Sequence, residues 1–190
     1  MKNRPIHKTR VRRASRSPDT ENRMFGSRIG YLVLLTLVVL ALVHMAVYYP
    51  SLPPQVMSHF DARGQANGSM GKNAFMAVYA GTILVTALVI LLFSLFLPRL
   101  RNSMINLPNK DYWLAPERKK ASAAVLSGMM VWFGNATLVL LIACFHVCFA
   151  ATLGRASPPW LFPLILGDYL TYTLAWCICL IRRFRKPKPA

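Results

Sequence analysis

"IGYLVLLTLVVLALVHMAVYY", Ile29–Tyr49, has no formally charged residue. A helix needs about 20 apolar residues to cross the hydrocarbon core of a bilayer, and this stretch supplies them. It is longer than the apolar core of a secretory leader and no small-residue cleavage pattern follows, so it reads as a retained anchor. Three further runs share its character. Ala74–Leu97 is uncharged, Ala121–Leu153 is uncharged apart from His146, and Trp160–Ile181 carries only Asp168. None alternates polar with apolar, and backbone in lipid must be satisfied within a helix or a closed barrel, so spanning strands are not expected. The third run is long for one perpendicular span. Its start, "ASAAVLSG", is weakly apolar, so this helix is expected to begin in the interface and enter the core near Met129.

The 190 residues are 55% hydrophobic and carry a net charge of +17, a combination that suits a membrane protein with segregated charge better than a soluble domain. Nine Lys and Arg lie in the segment up to Arg28, six in Pro98–Lys120 and five in the "RRFRKPKPA" tail, against two in Pro50–Asn73 and one in Gly154–Pro159. Positive charge is retained on the cytoplasmic side. The expected architecture is therefore an all-α membrane protein with four transmembrane helices in two antiparallel hairpins and both termini cytoplasmic. Its parts are a disordered basic tail (1–28), a four-helix domain (29–181) and a second basic tail (182–190). Within the domain, helices at about 29–49, 74–97, 121–153 and 160–181 are joined by an outward loop (50–73) and a cytoplasmic loop (98–120). The first tail is short of apolar residues and can dock on anionic headgroups. No nucleic-acid partner is expected; fixing topology suffices to explain the charge.

Four cysteines, Cys144, Cys148, Cys177 and Cys179, all fall within spans. By helical rise the two pairs differ in depth by roughly 10–20 Å, too far for one tetrahedral metal site. They are read as packing residues, and neither a metal nor a cofactor is expected. Titratable groups at membrane depth are functional candidates by default. His146 and Asp168 lie at similar distances on either side of the last outward turn, roughly 12–18 Å along their helices, so they can face each other. Asp168 can instead bond Tyr172 one turn on. His44 lies about 8 Å from the outward end of the first helix. Asn135, beside Gly134 in mid-span, is expected at a helix contact.

The outward loop reads "LPPQVMSHFDARGQANGSMGK", Leu52–Lys72. Pro53-Pro54 favours an extended exit from the first helix. An Asp-initiated turn ending at Gly64 and a second turn at Ala66–Gly68 are expected. Asn73 is a candidate cap for the second helix, and Lys72 can snorkel to the headgroups. His59, Phe60 and Asp61 are not needed for folding the loop and become candidate functional residues, with His146 and Asp168. In the cytoplasmic loop, Tyr112 and Trp113 suit an interface, Pro116 suits a first helical turn, and Glu117 complements the helix dipole. No nucleophile–base pair, phosphate loop, dinucleotide fingerprint or internal repeat is present, and no catalytic residue is assigned.

Leu52-Pro53, Val56, His59-Phe60, Gly64 and Lys72 before a helix together resemble a bacterial membrane family, domain of unknown function 1648. The domain also opens immunity proteins that protect sporulating bacteria from a secreted toxin. Met57 stands where the family usually has proline, and Ala66-Asn67-Gly68 replaces a Pro-Asp segment. "PNKDYWLAPERK", with Pro108, Asn109, Lys110, Tyr112 and Trp113, resembles the cytoplasmic loop of a subset of these proteins. The resemblance spans Gly30 to Lys120. It implies an integral membrane protein with a patterned loop between its first two helices, and no established activity.

The expected function is non-enzymatic: sensing, immunity-like or partner-binding through the outward loop, in a bacterial inner (cytoplasmic) membrane. Expected partners are the lipid bilayer and another membrane protein or an extracytoplasmic peptide. The alternatives are a small transporter or proton-coupled protein using His146 and Asp168, and a membrane-embedded metal-dependent hydrolase using His59.

Overall fold

The structure is a computed structural model that describes residues 18–61, 65–155, 158 and 160–186, without the side chains of 18–27. Helix α1 (Pro18–Tyr48) leads through a short 3-10 turn to strands β1 (Gln55–Phe60) and β2 (Ala66–Gly71). Helix α2 (Lys72–Phe96) follows, then the short α3 (Lys110–Trp113), the long α4 (Pro116–Thr152) and α5 (Leu161–Arg183). Four segments are long and apolar enough to cross a membrane: Arg28–Ser51, Lys72–Arg99, Pro116–Thr152 and Leu161–Arg183. Large apolar side chains cover their outer faces; Leu32, Val85 and Leu174 are each at least 60% exposed. Water would not tolerate a surface of that kind, whereas lipid solvates it.

Helix α4 is the common partner, packing against α1, α2 and α5. Small residues let the backbones approach, as is usual where lipid gives no hydrophobic drive to helix pairing. A Cβ on Gly134 would collide with Ile90 of α2, and one on Gly30 would fall 3.0 Å from Val131 Cγ1. Polar side chains bond backbone across the same crossings. Asn135 Nδ2 donates to Gly30 O at 3.0 Å, and Ser127 Oγ donates to Ser94 O at 2.8 Å. Asn135 thus lies at a helix contact, as its place beside Gly134 suggests. Thr137 meets the Tyr169 hydroxyl at 3.0 Å, and Trp176 Nε1 donates to Met129 O at 2.9 Å, which fixes α5 on α4.

Two apolar clusters occupy opposite ends of the bundle. One gathers Leu52 and Val56 of the connection with Phe75, Tyr79, Leu138 and Phe149. The other gathers Leu97, Ile105, Leu107, Leu114 and Leu126 around Phe184. At this second end α4 extends past what a span needs: 37 residues reach about 55 Å, against a hydrocarbon core of about 30 Å. Pro116 opens α4 and Glu117 sits in its first turn, as the sequence suggests.

Several local expectations change. The chain is mostly helical but not all-α, because Gln55–Phe60 and Ala66–Gly71 pair as an antiparallel β-hairpin. Residues Ala66–Gly68 therefore belong to a strand, not a turn. Helix α1 starts at Pro18, so part of the segment read as a disordered tail is helical. Residues 1–17 and Gly64 lie outside the described residues. The basic stretch after α5 is likewise more than a tail, since Phe184 is 1% exposed.

Candidate functional site

The connection between α1 and α2 is built from its base upward. Lys72 N donates to Pro54 O at 2.8 Å, closing the base of the hairpin. The Lys72 ammonium turns back onto α1, donating to Leu52 O at 3.1 Å and Tyr49 O at 3.3 Å, and lies 4.4 Å from the centre of the Tyr49 ring. It thereby ties the start of α2 to carbonyls of the 3-10 turn that follows α1. Asn73 does not cap α2; its Oδ1 accepts from the Tyr49 hydroxyl at 2.9 Å. Val56 is fully buried, and Met57 N donates to Thr152 Oγ1 of α4 at 2.9 Å. The hairpin is thereby bolted to the ends of three helices.

The register skips Ser58, pairing Met57 with Ser69 and His59 with Gly68. Such a bulge bends the strand and re-aims its side chains. The His59 ring then lies over Gly68, where an added Cβ would come within 3.1 Å of His59 Cβ and Nδ1. His59 Nδ1 shares a hydrogen bond with Ser58 Oγ at 2.9 Å. Asp61 closes the tip: its N donates to Gln65 O, and its Oδ1 accepts from Gln65 N, both at 2.9 Å. His59 and Asp61 are exposed, and Phe60 is half-buried.

Beneath the hairpin lies a second constellation. His44 Nδ1 meets the Tyr79 hydroxyl at 3.2 Å, and His44 Nε2 meets His146 Nδ1 at 3.1 Å. Aromatic rings wall this chain: Tyr48 stacks on Phe149 at 5.0 Å, and Tyr79 stacks on Phe145 at 4.0 Å. His146 therefore turns to His44, not to Asp168. Asp168 is exposed and has no hydrogen bond or ion pair among the described residues, and the neighbouring contact to α4 is made by Tyr169. His59 makes its contacts inside the hairpin. Among the described residues no three His, Cys, Asp or Glu side chains gather to share a metal.

A cleft of about 540 Å³ opens between α1, α4 and α5, with His44 and His146 among aliphatic neighbours. At the far end of the bundle the segment Pro108–Trp113 forms a clasp. Asn109 adopts a left-handed φ of 52°. Its Nδ2 donates to Phe184 O at 3.0 Å, beside the Trp113 Nε1 bond to the same oxygen at 2.8 Å. Tyr112 lies under the Arg118 guanidinium, 4.1 Å from its ring centre. Tyr79 and Phe184 escape the sequence reading, and Gly68, read there as a turn residue, is the strand residue under the His59 ring. Tyr79 shares the buried face of α2 with Phe75, Met76 and Ile83, and a hydroxyl on that face is the clue that was there to be found.

Four such spans define a multi-pass membrane protein. Residues 36–84 match the model of a domain of unknown function (DUF1648). No curated protein and no solved structure matches the chain. The matched stretch holds His44, the whole hairpin, Lys72 and Tyr79, whereas His146 comes from α4 outside it.

Proposed function

We propose that this chain is a non-enzymatic protein of a bacterial cytoplasmic membrane whose hairpin recognises another membrane protein or an extracytoplasmic peptide. The role is sensing or immunity-like. The spans lie as two antiparallel hairpins with both termini cytoplasmic, an orientation supported by the Lys and Arg excess on that side. The observation that carries the reading is a rigid base under an unused rim. Met57, Lys72 and Val56 fix the hairpin to the bundle. Its tip exposes His59, whose Nε2 has no hydrogen bond among the described residues. Among those residues β2 pairs with β1 alone, so its outer edge offers backbone groups to an extended segment. A binding constellation needs such rigid support, and folding does not need the exposed imidazole.

Two experiments test the reading. In a background lacking the native cysteines, Ser58→Cys should react with a membrane-impermeant maleimide from outside, and Ser103→Cys should not; the reverse pattern sinks the orientation. A photo-crosslinking residue at position 59 should yield one discrete protein product, absent when it is placed at lipid-facing Leu174. The same products at both positions would reject recognition by the hairpin.

A further inference from the structure

The Tyr79–His44–His146 chain has a direction. Tyr79 is fully buried, and among the described residues its hydroxyl meets only His44 Nδ1. A buried hydroxyl that accepts without donating leaves its proton unpaired at a cost comparable to a lost hydrogen bond, so Tyr79 donates. His44 Nδ1 is then bare and its Nε2 carries the proton. That proton goes to His146 Nδ1, 3.1 Å away. Neutral His146 must consequently carry its own proton on Nε2, an atom with no partner among the described residues on a side chain that lines the cleft. The buried tyrosine thus sets a hydrogen-bond donor on exposed His146, at the margin of a cleft whose own surface is almost wholly apolar.

The remaining lining is aliphatic, with no Lys, Arg, Asp or Glu. A carboxylate or phosphate seated there would lose its hydration without a counter-charge, whereas a neutral carbonyl loses little and gains the donor. The two histidines sit toward the hairpin end of the spans, and Leu37 and Val139 lie deeper, roughly 10 Å down α1 and α4 by helical rise. The two polar groups sit near the hairpin end, below Leu161, with most of the aliphatic lining deeper, which follows the order of groups in a lipid leaflet.

We infer that the cleft between α1, α4 and α5 is a lipid site, seating one acyl chain of an ester-linked membrane lipid with its ester carbonyl on His146 Nε2–H. The test uses the full chain in nanodiscs of dioleoyl phosphatidylcholine or of the matching dialkyl-ether lipid, which lacks the carbonyl, with lipid retention read by native mass spectrometry. The wild type should retain one ester lipid about tenfold more than the ether lipid, the range of a single added hydrogen bond. His146→Phe should equalise the two. Tyr79→Phe leaves the lining intact and should reduce the preference by freeing the tautomers. Ile142→Trp should displace both lipids by filling the cleft. Equal retention by the wild type, an undiminished preference in both His146→Phe and Tyr79→Phe, or a non-ester lipophile displaced by Ile142→Trp would overturn the assignment.

Discussion

Gly134 and Asn135 are neighbours on α4 and serve two different crossings. Gly134 admits Ile90 of α2, and Asn135 reaches Gly30 O of α1. Gly134→Val should destabilise the bundle by about 1–3 kcal/mol through overpacking, and Ile90→Ala should recover part of the loss. Thermal unfolding in detergent measures both. Asn135 makes one bond with Nδ2, while its buried Oδ1 has no partner among the described residues. Asn135→Leu removes that stranded acceptor along with the bond and should stay within about 1 kcal/mol of wild type, whereas Asn135→Asp should cost about 1–3 kcal/mol at a pH where its carboxyl is ionised and cannot donate. Both residues were legible in the sequence, because a small and a polar residue in mid-span have few reasons to be there except a helix contact. The partner of His146 was not legible. Rise per residue gives depth along a helix, but which neighbour a side chain meets depends on how the helix is turned in the bundle. Asp168 and His44 are both within range in depth; only packing decides for His44.

At the scale of elements, apolar run length placed all four spans. The hairpin escaped because "ANGSMG" is poor in strand-forming residues and rich in turn formers. Strand propensity is a statement about packing context, and here the context is remote: Met57 N bonds Thr152 Oγ1, and Val56 is buried against the helix ends. Lys72 is the fastener of this element. Lys72→Met should lose two bonds to the turn that follows α1 and the contact with the Tyr49 ring, destabilising by about 1–2 kcal/mol. Faster proteolytic cleavage within 55–71, with the helices still protected, is the expected signature. Gly68→Val should unseat the His59 ring without loosening the base, so crosslinking from position 59 should fall while melting changes little.

At the scale of the whole molecule, two clusters hold the ends of a bundle whose middle is mostly lipid-facing. Phe184, just past the end of α5, is buried in the second cluster with Leu180 of α5 packed against it, and Asn109 and Trp113 hold its carbonyl. Phe184→Ala should cost about 3–5 kcal/mol and free the end of α5 for exchange with deuterium before the other spans. The basic composition around Phe184 hid its role, since charge counting treats such a stretch as solvated. The dependence of α1, α2 and α5 on α4 also reaches into biosynthesis. Ribosomes make α1 and α2 before the helix that supplies most of their contacts exists. A nascent chain halted after residue 100 should enter the bilayer as two loosely associated spans, with Gly30 and Ile90 facing lipid instead of α4. Quality-control proteases should then find it a substrate until the third span arrives.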